Sequence, residues 1–147
     1  MTTEDIPRRL VEALEALRHL GLGRNPLRTV GISPPQLALL DWIARHPAAR
    51  LREVAAGLGI SSPTASVALR RLEELGLVVR RPDPRDRRAV QFSLTPRGTA
   101  LHREAERFRR LQAEGILAGL DPEEREELVW LLEKAVAAME SRKEAGS

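Results

Sequence analysis

The sequence predicts a mainly α-helical chain with one small β-hairpin, an α+β arrangement, and three observations carry that prediction. Apolar residues recur at helical spacing along most of the 147 residues. One short β-branched run is followed, after a polar tip, by a stretch that alternates apolar and polar side chains. Arginine is crowded on that tip and on the helix before it. Between Arg70 and Arg88 stand Arg70, Arg71, Arg80, Arg81, Arg85, Arg87 and Arg88, against Glu73, Glu74, Asp83 and Asp86. The local net charge is +3, equal to the +3 of the whole chain, so the remaining residues sum to zero. A cationic excess confined to a helix and a protruding hairpin is the electrostatic footprint of a DNA reader.

Residues 5–20 place Ile6, Leu10, Ala13, Leu14, Leu17 and Leu20 at helical spacing, and Gly21, Gly23, Asn25 and Pro26 then break the chain. Ser33-Pro34-Pro35-Gln36 reads as a capping box, opening a helix with Leu37, Leu40, Ile43 and Ala44 on one face and a stop before Pro47. A short third helix is expected over 52–57, with Gly59 as turn and Ile60 returning to the core. Ser61 caps a fourth helix that ends at Leu75-Gly76, where glycine accepts the left-handed conformation. Residues 77–81 read as a strand. Residues 89–94 alternate at Val90, Phe92 and Leu94, as an antiparallel partner with one buried face. Thr95-Pro96 opens a long helix carrying Leu101, Ala105, Phe108 and Leu111. Asp121-Pro122-Glu123-Glu124 opens the last, whose stripe is Leu128, Leu131, Leu132, Ala135, Val136 and Met139. Residues 141–147 are expected to fray.

Composition narrows the function classes. With 42% hydrophobic residues the chain can bury a core, built from aliphatic side chains because there are only two Phe, two Trp and no Tyr. So few aromatics speak against stacking on single-stranded bases. The absence of Cys excludes thiol catalysis, thiol redox sensing and thiolate metal sites. Three scattered His give no transition-metal motif, and no nucleophile–base pair or Gly-rich phosphate loop supports an enzyme. No cofactor is expected. No segment approaches the ~20 apolar residues of a membrane span, so the expected compartment is cytoplasmic and no membrane partner is called for.

Residues 51–75 have the spacing of a helix-turn-helix. Val54, Leu58, Ile60, Ala65 and Ala68 fall where its two helices pack, and Gly59 permits the tight turn. A plain helical hairpin would need the same packing positions; the outward face of the second helix separates the two. That face carries Ser62, Thr64, Ser66 and Arg70, hydroxyls and a guanidinium suited to major-groove base edges, while Pro63 offers an apolar contact to a thymine methyl. Ser61 is mainly a cap and, with Arg71, Arg85 and Arg87, a candidate phosphate contact. The alternative for these residues is a solvated face. In the hairpin tip, Arg88 suits a narrow minor groove, with Asp86 two residues before it to hold the guanidinium extended. The alternative there is a turn with exposed ion pairs worth ~0–1 kcal/mol.

These residues resemble the multiple-antibiotic-resistance regulator (MarR) family over 33–96. The resemblance is carried by Leu51-Arg52-Glu53-Val54-Ala55, by Leu72-Glu73-Glu74-Leu75-Gly76-Leu77-Val78, and by Asp86-Arg87-Arg88 with Ser93-Leu94-Thr95. It implies a winged helix-turn-helix flanked by long N- and C-terminal dimerisation helices. Residues 33–96 would form the DNA-binding lobe, and 1–32 with 97–147 the helical dimerisation region. It also implies a homodimer, usually a repressor, on a pseudo-palindromic double-stranded DNA operator, with Arg88 in the minor groove and Asp86 as its support. Val67 departs from the family, which often has Arg there, so the base readout should differ. Many relatives bind a small anionic aromatic effector between the dimer helices and the DNA-binding lobe. Here His19, Trp42 and His46 are the candidate lining, with arginines of the fifth helix nearby; the alternative is that Trp42 packs and the histidines are surface residues. Trp130, off its helix's main stripe, is expected at a dimer surface. A winged-helix protein-interaction module and a non-specific architectural nucleic-acid binder remain the competing function classes.

Overall fold

The computed structural model describes residues 5–146. Residues 1–4 and Ser147, assigned from sequence to the dimerisation region, lie outside the described residues. The described chain falls into two compact units, divided between Arg109 and Arg110.

In the first unit, α1 (Ile6–His19) is followed by a 3-10 turn (Arg28–Val30), then α2 (Pro34–Arg45), β1 (Ala49–Arg50), α3 (Leu51–Leu58) and α4 (Ser62–Glu74). Strands β2 (Val78–Pro82) and β3 (Val90–Leu94) lead into α5 (Pro96–Leu117), and α6 (Pro122–Ala145) closes the chain. The three strands form one antiparallel sheet in the order β1-β3-β2, with Val78 opposite Leu94, Arg80 opposite Phe92 and Ala49 also opposite Phe92. The third strand, β1, is two residues long and was not expected.

Capping sets the helix starts where sequence places them. Ser33 Oγ accepts the Gln36 N–H while Gln36 returns its side-chain oxygen to the Ser33 N–H. Asp121 and Glu124 repeat the exchange at α6. Gly59 (φ +65°) and Gly76 (φ +74°) both sit in the left-handed region, as the ends of α3 and α4 require. Leu39, Leu40, Ile43, Val54, Leu69, Leu72 and Leu77 form the fully buried centre of the winged-helix core. The start of α5 is pinned to it: Thr95 Oγ1 donates to the Gly76 carbonyl at 2.6 Å and accepts the Gly98 N–H at 3.0 Å. Gly98 is buried against the Leu77 carbonyl, and a Cβ there would stand 2.1 Å from that oxygen.

Two expectations need correction. Ile60 does not return to the core but is 37% exposed, on the connection between the Gly59 turn and the Ser61 cap. Residues 141–145 do not fray but stay helical. Ser141 Oγ donates to the Ala137 carbonyl, and Arg142 and Lys143 occupy the last turn, where cations offset the helix dipole. The second unit consists of the end of α5 and α6, joined by Arg125 Nε, which donates to the Leu117 and Leu120 carbonyls, each at 3.0 Å.

Candidate nucleic-acid interface

Helix α4 turns Ala65, Leu69 and Leu72 into the core. At about 100° per residue, the direction opposite these three is occupied by Pro63 and Val67, with Arg70 and Arg71 on either side. Ser62 and Ser66 lie on the flank toward the hairpin, and Thr64 on the other. Ser61 is the N-cap: its Oγ accepts the Thr64 N–H at 3.2 Å and donates to Thr64 Oγ1 at 2.8 Å. The Thr64 hydroxyl is thereby tied to the cap, whereas Ser62 faces a groove.

That groove, of about 410 Å³, runs between α4 and the hairpin. Ser62, Ser66 and Arg88 line it together with Arg50, Arg52 and Arg80, over a floor that includes Val90 and Phe92. The structure therefore brings the helix hydroxyls and the wing arginine into one cleft. It adds three arginines to which sequence reasoning gave no role. Arg80 had a readable signal, since the two-residue period of β2 puts it on the same face as the buried Val78; here its Nε donates to Glu73 at 3.1 Å and its guanidinium lies 5.6 Å from the Phe92 ring centre. Arg50 had none, because β1 was not foreseen. Among the described residues, neither Arg52 nor Arg88 makes an ion pair, so both keep their full charge for an anion.

The hairpin tip is shaped by its aspartates. Asp86 Oδ1 accepts the backbone N–H of Arg88 at 3.0 Å, so its support is a turn that sets the Arg88 backbone and not a grip on the guanidinium. Asp83, only 4% exposed, does more. Its Oδ1 accepts the Arg85 N–H at 2.8 Å, its backbone N–H reaches the Ala89 carbonyl, and its Oδ2 takes Arg50 Nε at 2.9 Å. The Arg85 N–H first, and the Arg50 guanidinium with it, hold this carboxyl below the ordinary aspartate range against the opposing effect of burial. Arg85, Arg87 and Arg88 are all exposed around this braced turn.

The three residues suggested for an effector pocket are distributed differently. Trp42 and His46 stack, ring centres 3.9 Å apart, and Trp42 covers Gly57, where a Cβ would fall 2.2 Å from the indole. His19 is an exposed residue of the last turn of α1. Trp130 is 57% exposed, with Lys134 Nζ 5.0 Å from its ring centre. A polar cluster that sequence reasoning missed joins α2 to α5. His102 Nδ1 lies 3.0 Å from Asp41 Oδ1 and Nε2 lies 3.2 Å from Glu106, while Arg109 donates to Asp41 Oδ2 at 2.8 Å. Both ring nitrogens are occupied by carboxylates, and among the described residues no group of His, Asp and Glu could hold a metal ion. No described helix is long and apolar enough to cross a membrane.

Comparison with known proteins agrees with this geometry. Residues 30–89 match the model of the MarR family. The uncharacterized HTH-type transcriptional regulator YkoM of Bacillus subtilis is 29% identical over 105 residues, covering 71% of this chain and 68% of its own. Streptococcus pneumoniae FabT, in a crystal structure with DNA, superposes with a TM-score of 0.75 at 25% identity, covering 95% of this chain and 99% of FabT. The transcriptional regulator Tm0710 of Thermotoga maritima gives 0.67 at 28% identity, covering 95% and 97%. The sheet order, the arginine-lined cleft beside α4 and these likenesses converge: residues 30–89 form a winged helix-turn-helix of the MarR type, and the chain as a whole is similar in fold to DNA-binding transcriptional regulators.

Proposed function

We propose that two copies of this chain form a repressor that reads a pseudo-palindromic operator in double-stranded DNA. The observation that carries the reading is the cleft between α4 and the hairpin, where Arg50, Arg52, Arg80 and Arg88 surround Ser62 and Ser66. A recognition helix in the major groove leaves the wing beside the adjacent minor groove, where Arg88 meets the stronger negative potential of A·T-rich DNA. Arg70 faces base edges; Ser61, Arg71, Arg85 and Arg87 are phosphate contacts. The likeness to FabT, a protein solved with DNA, supports this placement.

Dimerisation is supported by the helices outside the winged lobe. On α1, Ile6, Leu10, Val11 and Leu14 are exposed; on α6, Val129, Trp130, Leu132, Val136 and Met139 are exposed. Apolar surface of this kind is normally covered, and a two-fold partner could cover the exposed side chains of each helix. A small anionic aromatic effector that releases the DNA is part of the proposal, with Trp42, His46 and His19 as its candidate contacts. The regulator then works in the cytoplasm, where its DNA is.

Selection from randomised duplexes, followed by titration of the enriched site, tests the reading. The expected product is an inverted repeat with half-site centres about 10 bp apart and an affinity that falls steeply with salt. Arg88→Ala should cost roughly tenfold and lower the salt slope by about one per subunit. No enriched duplex, with the dimer intact, would leave a protein-interaction module; equal affinity for all duplexes would leave an architectural binder.

A further inference from the structure

The outward pole of α4 is apolar over its first two turns. Ala65, Leu69 and Leu72 fix the inner direction, and at about 100° per residue Val67 points nearly opposite to it, with Pro63 one turn before and the charged Glu74 only two turns further on, at the helix end. Val67 is 63% exposed. Its neighbours on the outward face are Ser66, Arg70 and Arg71, so a single β-branched hydrocarbon tip stands among hydroxyls and guanidinia. A lone exposed valine is ordinary on a protein surface. This one lies outside the buried core, however, and β-branching lowers its helix propensity.

We propose that Val67, together with Pro63, is a specificity-determining apolar step that takes the 5-methyl group of a thymine in each half-site. The proposal rests on the DNA-reading function above and names one feature of its substrate. When α4 enters a major groove, the residue opposite its buried stripe goes deepest, toward the base edges. Those edges carry hydrogen-bonding groups with one exception, the thymine methyl, and that is the feature a valine tip can recognise. Val67 has no donor or acceptor, so a G·C pair at this place would have its edge dehydrated and left unpaired. Discrimination therefore has two parts, burial of the methyl against hydrocarbon with T·A and an unmet polar edge with G·C. Arg70, one turn on from Ser66, stays free to fork onto a guanine at a neighbouring step.

The test uses the full-length protein and an operator enriched from randomised duplexes. Each thymine is replaced in turn by uracil, which removes one methyl and leaves every hydrogen-bonding group in place. The parent should lose roughly fourfold in affinity for one such replacement in a half-site, and roughly tenfold or more when both symmetric positions are changed. Val67→Ala should lose a similar amount on the thymine operator and become indifferent to that same uracil, with its melting temperature no lower and its salt slope unchanged. A parent that tolerates uracil at every position would overturn the proposal, as would a Val67→Ala variant that keeps the parent's sensitivity. A failure to enrich any duplex would instead remove the DNA-reading function, and the proposal with it.

Discussion

The winged-helix region and the terminal helices use the same aliphatic side chains to opposite ends. Among the described residues, the large side chains that are fully buried lie between Leu39 and Leu77, on α2, α3, α4 and the turn into β2. Neither α1 nor α6 buries a single residue, although α1 carries a sharp apolar face and α6 spreads leucine, valine and tryptophan around much of its surface. Chemistry does not separate the two regions, since both are Leu- and Val-rich. What differs is whether the chain folds a neighbour onto the stripe. The winged lobe finds α2, α3 and β2 around its own α4, and so completes its core within one subunit. The terminal helices leave hydrophobic area in water, and covering it would be worth about 25 cal/mol per Å².

The difference can be broken most severely from the lobe side. Leu40→Ala leaves a cavity at a fully buried site and should cost about 2–5 kcal/mol. Because the lobe's core is complete in one subunit, that loss should be the same at all protein concentrations. Urea unfolding at two concentrations a hundredfold apart measures it; a cost that varies with concentration would show that the core is shared between copies.

Leu132→Asp attacks the other region. Leu132 is 54% exposed in the single chain, so a charge there should leave the subunit folded. In a two-fold assembly the same carboxylate is buried against its symmetry mate, and dimer affinity should fall by about 2–3 kcal/mol. Sedimentation should show monomers at micromolar concentration while circular dichroism stays helical. A dimer unchanged by this substitution would place the subunit contact elsewhere and remove α6 from the comparison.

The sequence made the two regions legible to different degrees, for physical reasons. Helix starts were readable because a cap and its third residue lie within one turn: Ser33 with Gln36, Asp121 with Glu124, Ser61 with Thr64. The hairpin was readable because alternation at Val90, Phe92 and Leu94 is a local period, and the structure buries Phe92 with its neighbours half-covered. The two-residue β1 was not, since Ala49 and Arg50 gain their strand character from Phe92 and Gln91, some forty residues away. The same holds for Arg50 with Asp83 and for His102 with Asp41: charged pairs across long sequence separations leave no periodic trace. Of the candidate interface, the hydroxyls of α4 and Arg88 were visible as an outward face and a basic tip. The arginines that close the cleft from β1, α3 and β2 appear only when the sheet brings them alongside α4.

The Arg50–Asp83 pair sharpens the comparison from inside the lobe, because the wing is held by charge where the rest of the lobe is held by hydrocarbon. The Asp83 carboxyl titrates below the ordinary value of 3.8. A group depressed on folding contributes stability that is present above the unfolded value and lost as pH falls through the folded one. Between neutrality and about pH 4, its contribution should thus be constant, and it should disappear only in stronger acid. Asp83→Asn keeps the shape but cannot pair with Arg50 as an anion. The gap in urea midpoint between parent and variant should be small, flat from about pH 7 to pH 4, and narrowing below that. Leu40→Ala provides the contrast, since its deficit involves no titrating group and should persist at every pH where the parent is folded. A gap for Asp83→Asn that already closes between about pH 6 and pH 5 would mean that another group titrates with the wing. The brace would then not be the polar counterpart of the core.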